Sequence, residues 1–378
     1  MNNKNTISKI KSFVFKNNTD VQEYHLIIEI KNKHLTYQEQ LQNLFETFKE
    51  TLAETYPNAI PVFARFFLSD ACNQIKTLKE KTDRYIPCAI SYIQQPPANG
   101  TKIALWVYLI SKVKVTMLAP NICKIHHGEY KHFFAVNMHG LGNNSEIQTK
   151  SILQDYIHKI NKEKCTLKDD CIRTWFYIND IDNNYAGMVK GRNKIFDQEN
   201  LTDNTHFISS TGIGGQSANP HELIQMDAYS IKGLKKNQVK FLYALHYLNR
   251  TSEYHVRFER GTIIDYGDRR HVFISGTASI NNKGEVVYPE DIKKQTQRMW
   301  ENTEALLLEA DMSFKNIGEI VVYLRDIADY EIVNDLFRKR FPNIPYLILK
   351  APVCRPEWLI EMECMGAKAQ TNSNFNNF

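Results

Sequence analysis

CIRTWFYINDI, residues 171–181, is an apolar run rich in aromatic and β-branched side chains, and it reaches an Asp at position 180. Two further runs have the same character: VFARFFLSD at 62–70, ending at Asp70, and EIVVYLRDI at 319–327, reaching Asp326. Such composition predicts strands buried under helices, and an Asp at a strand end can cap the helix that follows. Each run is preceded by apolar residues at helical spacing. They are Leu41, Leu44, Phe45, Phe48 and Leu52 in the first copy. In the second they are Ile152, Leu153, Tyr156, Ile157 and Ile160, opened by Asn144 and Ser145. In the third, Asp291 begins a helix whose face is Gln295, Met299, Thr303, Leu306 and Ala310. A stripe of this kind must lie on an apolar surface.

Each run is followed by a second helix, carrying Asn73, Arg192 and Asn334 at roughly matching places. A strand, a turn and a strand come next: AISYI then IALWVYLI, HFISSTG then LIQMDAYSI, PYLILK then WLIEMECMG. The turns QPPANG, GGQSANPH and PVCRPE are rich in Gly, Pro and Asn. One order of events thus occurs three times, the signature of an internal repeat. A sheet with helices on one face leaves the other face bare, and three such units can bury their bare faces against one another. The expected fold is α+β, an intramolecular pseudo-trimer with clefts at the module junctions. The expected boundaries are an N-terminal tail at 1–19, modules at 20–113, 114–236 and 237–368, and a disordered Asn-rich tail at 369–378.

The bulk numbers limit function. With 47 basic and 42 acidic side chains the net charge is +5, and no dense Lys/Arg stripe with interleaved aromatics argues for nucleic acid. A small anionic substrate suits this balance. The seven cysteines include no CxxC, so reduced thiols in a cytoplasmic protein are expected rather than a disulfide framework or zinc ribbon. The start, MNNKNTISKIKSF, lacks the apolar region of a leader, and no run approaches a membrane span. Cys123, His126 and His127 have no fourth ligand at sensible spacing, so no metal is expected.

The third copy is similar to the RidA/YjgF family, whose members form homotrimers with sites between subunits. The similarity is carried by ISGTASINNKGEVVYPEDIKKQTQRMWENTEALLLEA (274–310), VVYLRDIADYEIVNDLFRKRFP (321–342) and WLIEMECMGA (358–367). The wider chain resembles a narrower group, the chorismatases, in FLSDACNQ (67–74), AISYIQQPPANG (89–100), RTWFYINDIDNNYAGMVKGRN (173–193), HFISSTGIGG (206–215), YHVRFERG (254–261) and YGDRRHVFISGTASI (266–280). The resemblance implies three RidA/YjgF-like modules in a monomer, cleaving chorismate at the junction of modules two and three.

Chorismate carries two carboxylates and an enol ether. Releasing pyruvate needs a proton on the vinyl methylene carbon, which a carboxylic acid kept neutral at pH 7 can supply. Glu361 is the candidate. It shares a strand face with Glu363, two such neighbours tend to raise one pKa, and the resemblance points the first Glu of the pair at the ligand. Matching the last strands sets Gln225 and Trp106 opposite Glu361, so only one of three pseudo-equivalent sites holds an acid. Arg257, Arg192 and Arg355 are candidates to grip carboxylates bidentately, with Arg269 and Arg270 as competitors. Tyr254 could bond the substrate's hydroxyl, although Tyr254 and Arg257 reach one ligand only across a bulge or strand end. Thr211 and Gly212 lie in a turn-like STGIGG whose N–H groups could hold a carboxylate. Gly276, Thr277 and Ala278 resemble the family's ring-contact segment. Cys354 matches the Cys of chorismatases that yield 3-hydroxybenzoate, the favoured product here, with a dihydroxycyclohexadiene carboxylate as the other; it could equally be an inert buried thiol.

Two alternatives stay open: a RidA-type imine or enamine deaminase, and a non-catalytic binding protein of the same fold. Such deaminases place an Arg at the start of the penultimate strand, and CAISY, FISST and YLILK contain none. Acid catalysis of an enol ether needs neither metal nor organic cofactor. Pyruvate release from chorismate should therefore continue in excess chelator; activity lost there and restored by zinc would overturn this.

Overall fold

A computed structural model describes residues 7–254 and 256–378, omitting the side chains of 83–85 and 254. The first module contains β1 (Ser8–Phe15), β2 (Glu23–Ile30), α1 (Tyr37–Glu54), β3 (Ala59–Leu68), α2 (Ala71–Tyr85), β4 (Ala89–Gln94) and β5 (Ile103–Ser111). The second contains β6 (Lys114–Ala119), β7 (Ile122–His127), β8 (Tyr130–His139), α3 (Ser145–Asn161), the single turn α4 (Leu167–Asp170), β9 (Cys171–Ile178), α5 (Ile181–Gln198), β10 (Ser209–Gly214) and β11 (Ile224–Lys232). The third contains β12 (Val239–Leu242), β13 (Gly261–Asp265), β14 (Arg269–Ala278), α6 (Ile292–Glu309), β15 (Ile317–Leu324), α7 (Tyr330–Arg340), β16 (Tyr346–Lys350) and β17 (Ile360–Ala369).

The three sheets have matching strand orders: β1-β2-β5-β3-β4, β6-β7-β8-β11-β9-β10 and β12-β13-β14-β17-β15-β16. In each, the last pair is parallel and is joined by a crossover helix, as a parallel pair requires. The strands show why three units assemble. Along β5, Ile103, Leu105, Val107 and Leu109 pack in the core shared with α1, while Ala104, Trp106, Tyr108 and Ile110 join a core that draws on all three modules. Period-two alternation thus gives each sheet one face for its own helices and one for its neighbours. The modules also join edge to edge in a cycle. Gln94 N–H donates to Gln216 O at 2.8 Å, Gly214 N–H to Pro352 O at 2.9 Å, and Lys350 N–H to Pro96 O at 2.8 Å. These bonds run from module one to two, two to three, and three to one.

Helix starts follow the sequence signals in part. Asp70, Asn144 and Asp291 each accept a backbone N–H as N-caps, and Asp326 caps a short 3-10 turn before α7. Asp180 does not cap. It adopts a left-handed conformation, φ 49°, with no side-chain cap bond.

Three expectations need correction. The segment 1–19 is not all tail: β1 pairs along its length with β2. Lys9 and Lys11 break the apolar signal there, as charged residues on an edge strand do. The end 369–378 is ordered. Asn372 N–H donates to Gly267 O and Gly267 N–H to Asn376 O, both at 2.7 Å, and Phe378 is buried against His132, Tyr266 and His271. Finally, Ala104, not Trp106, is the counterpart of Glu361. Phe67, Tyr177 and Tyr323 each stand three residues before the strand-end Asp, and they pair with Ala104, Gln225 and Glu361. Trp106 corresponds instead to Asp227 and Glu363. A two-residue slip keeps every side chain on the same face, so the sequence pattern alone does not reveal it.

Phe378 closes the foot of the assembly, with the Arg269 guanidinium 4.6 Å from its ring centroid. Truncating so large a buried ring should cost about 3 kcal/mol. Phe378→Ala should therefore lower the denaturation midpoint clearly, and an unchanged midpoint would show that the tail does not contribute to stability.

Candidate active site

A cleft with about 550 Å³ of empty volume, partly open to solvent, lies at the junction of modules two and three. Module two supplies Tyr185 and Arg192 from α5 and Ser210, Thr211 and Gly212 from β10. Module three supplies Val256, Phe258, Arg260, Gly276, Ala278, Ile280, Cys354, Arg355, Trp358 and Glu361.

Local strand geometry aims these groups. Glu361 and Glu363 alternate with Met362 on β17, so both face the inter-module side. The β14–β17 register shifts between Ile274 and Thr277, a bulge beside the cleft. The bulge frees Ser275 and Gly276 from regular pairing. Ser275 Oγ accepts the Ser210 N–H at 2.9 Å and donates to Glu259 O at 2.6 Å, which ties β10 to β14. Gly276 lies against Glu361. A Cβ there would stand 2.0 Å from Glu361 Oε1, so only glycine leaves room for the carboxyl.

The two glutamates have different surroundings. Glu363 accepts Arg173 Nη2 and Trp175 Nε1, each at 2.8 Å, and lies 3.9 Å from Arg65 Nη1. No hydrogen bond to the Glu361 carboxyl occurs among the described residues. Burial, and then the neighbouring Glu363, push Glu361 up to about 8, with Arg260 and Arg173 partly opposing the shift. Glu361 is therefore neutral at pH 7. Cys354 is pushed up to about 12 by burial and by Glu361, so it is a thiol at neutral pH and not a thiolate nucleophile. Arg192, Arg260 and Arg355 give the cleft three guanidinium groups. Arg260 bonds Asn249 at 3.2 Å, and Arg355 stacks 4.8 Å from the Trp358 ring centroid.

Of the residues singled out from sequence, Glu361, Cys354, Arg192, Arg355, Thr211, Gly212, Gly276 and Ala278 come together here. Arg257 does not line the cleft and instead pairs with Asp197. Thr277 alternates with Gly276 and Ala278, does not line the cleft, and donates its hydroxyl to Ser275 O at 2.9 Å. The Tyr254 side chain lies outside the described residues. Arg269 is held by Glu23 and Asp268, and Arg270 by Asp265, so neither competitor lines the cleft. Sequence reasoning missed Arg260, Tyr185, Ser210, Phe258 and Trp358. Nothing in the sequence separates Arg260 from Arg257, three residues earlier in the same segment.

The positions that match Glu361 at the other two junctions hold no acid. Gln225 Nε2 donates across to Tyr92 O at 3.0 Å, which stitches modules one and two together. Ala104 holds the remaining position.

The profile of the Endoribonuclease L-PSP family matches residues 262–368, the third module. A RutC family protein of Pyrococcus abyssi is 31% identical over 99 residues, covering 26% of this chain and 78% of the relative. The chain belongs to the RutC family. Another RutC relative, the 3-aminoacrylate deaminase RutC of Acinetobacter baylyi, is 29% identical over 94 residues, 24% of this chain and 74% of that protein. The fold matches the crystal structure of a chorismatase with a TM-score of 0.64, at 16% identity, covering 81% of this chain and 93% of that one. The fold of this RutC-matched third module occurs three times in the polypeptide, since the three sheets share one strand order.

Gly276→Ala tests the close approach on β14. The backbone there needs no positive φ, so the strand can accept alanine, but the Glu361 carboxyl must move. Binding of an anionic ligand should survive, while any proton transfer by Glu361 should slow by about tenfold or more. Unchanged turnover would show that the carboxyl does not act from its present position.

Proposed function

We propose that this protein cleaves the enol ether of chorismate, releasing pyruvate, with Glu361 as proton donor. The observation that carries this reading is a single neutral carboxylic acid at the end of a cleft that also presents three arginines. Arg192, Arg260 and Arg355 suit a substrate with two carboxylates, and Arg260 takes the place first expected of Arg257. Glu361 gives its proton to the vinyl methylene carbon, which becomes a methyl group. The ether carbon, now cationic, takes an oxygen nucleophile. With water as nucleophile, the adduct loses a proton and breaks its bond to the ring oxygen, giving pyruvate and a dihydroxycyclohexadiene carboxylate. Loss of one water from that diol aromatises the ring to 3-hydroxybenzoate, the favoured product. Cys354, an uncharged thiol beside Glu361, suits a role in shaping the ring pocket rather than in attack.

Support for the deaminase alternative is weaker. Strands β4, β10 and β16 carry no Arg at their starts, so no guanidinium stands where a deaminase would hold an imino acid carboxylate.

Purified protein incubated with chorismate should release pyruvate, followed with a coupled dehydrogenase. Glu361→Gln should lower turnover by about a hundredfold or more while binding survives. Because the acid form is needed, the rate should hold below pH 8 and fall as pH rises through about 8. That alkaline limb should vanish in Glu361→Gln. Near-parental turnover in the variant would defeat the mechanism.

A further inference from the structure

Thr211 stands where β10 meets the β14 bulge, and it is buried at the wall of the cleft. Its hydroxyl oxygen accepts two hydrogen bonds: one from Arg173 Nη2 at 2.5 Å and one from the Gly276 backbone N–H at 2.9 Å. A hydroxyl oxygen has two lone pairs and one proton. With both lone pairs taken, the proton must leave along the remaining direction, and no acceptor for it occurs among the described residues. The missing Cβ of Gly276 would stand 3.2 Å from Thr211 Cγ2 and 2.0 Å from Glu361 Oε1. Thr211 and Glu361 therefore flank one point of the cleft.

We infer that Thr211 is an obligate hydrogen-bond donor to an oxygen of the substrate, beside the atom that Glu361 protonates. Arg173 strengthens the donor, because a hydroxyl that accepts from a guanidinium gives up its own proton more readily to an acceptor. Arg173 is itself fixed by Glu363 at 2.8 Å and by Ser275 at 3.2 Å. Glu363 thus acts as a positioning residue, through Arg173, on Thr211. The inference rests on the reading of the cleft as a site for a small enol ether acid. In such a substrate the acceptors within reach of the protonated carbon are the ether and carboxylate oxygens of the enolpyruvyl group. A ligand offering only N–H or O–H donors at this point would find no lone pair to take them.

The test uses pyruvate, which carries these acceptor oxygens, and reads its affinity by NMR titration. Thr211→Val keeps the shape and loses the donor, and should bind pyruvate about tenfold more weakly, the scale of one lost hydrogen bond. Thr211→Ser should recover most of that loss. Since valine also leaves Arg173 and Gly276 without an acceptor, a second readout separates donation from mere scaffolding. The Thr211 hydroxyl proton, assigned by its absence in the valine variant, should move downfield on saturation with pyruvate. Equal pyruvate affinity in the valine variant would overturn the inference. So would no pyruvate binding to the parental protein, or a hydroxyl resonance that ignores bound pyruvate. Chorismate turnover reports separately. A parental protein that binds pyruvate through Thr211 yet leaves chorismate intact would sink the reaction and keep the donor.

Discussion

Arg173 of module two and Glu363 of module three meet at 2.8 Å, and neither side chain is more than 3% exposed. Beside them, Arg65 of module one pairs with Asp227 of module two at 3.0 Å, equally buried. Two full ion pairs therefore lie on the inner faces of the three sheets, between modules. Ions so placed are costly to desolvate, and the attraction offsets that cost only when geometry and further hydrogen bonds are good. Other contacts offset part of it: Arg65 lies 4.6 Å from the Trp175 ring centroid and Trp175 donates to Glu363, while Arg65 Nε and Nη1 and Arg173 Nε make no hydrogen bond among the described residues. Removing one partner would leave a buried charge uncompensated, a loss of about 3–5 kcal/mol. The pairs therefore specify how modules meet more than they add stability, since no module alone could satisfy them.

That constraint also explains why three similar modules yield one cleft with an acid. The position of Glu363 is held by Trp106 in module one and by Asp227 in module two. The position of Glu361 is held by Ala104 and Gln225. At the junction of modules one and two, Gln225 Nε2 donates across to Tyr92 O and to Asn137 Oδ1, which stitches the edge. At the junction of modules three and one, alanine offers nothing to ligand or proton. Of the three matched positions, that of Glu361 alone carries an acid.

Much of this was legible in the sequence because it rests on periodicity. Helix faces such as Leu41, Leu44 and Phe48, the strand ends at Asp70 and Asp326, and the isolation of one acid among three copies all follow from spacing along the chain. Choices among like residues were not legible. Arg257 and Arg260 are three apart in one short segment; only the fold shows that Asp197 engages the first and that the second turns into the cleft. Thr277 sits between two cleft residues and fails only because a strand alternates. The order of the tail is not legible because its Asn-rich composition resembles a linker, whereas its backbone bonds go to Gly267 and its last ring packs on His132 of module two and Tyr266 and His271 of module three. Arg173 does not stand out in the sequence, since an arginine inside an apolar strand has no visible partner until Glu363 arrives from another module.

The two glutamates of β17 show how far environment, rather than residue type, assigns a role. They are two residues apart on one strand face. Glu363 is held by Arg173 and the Trp175 N–H, with Arg65 3.9 Å away. Glu361 faces the cleft against Gly276, with burial and the charge of Glu363 both favouring its neutral form. A third buried acid on the same inner face, Glu319, is likewise driven toward its neutral form, first by burial and then by Glu363. Burial and Glu363 thus push both Glu361 and Glu319 toward the neutral form, while Glu363 itself is locked by arginine. Of the neutral pair, Glu361 alone reaches the cleft, which makes it the acid that can meet a ligand.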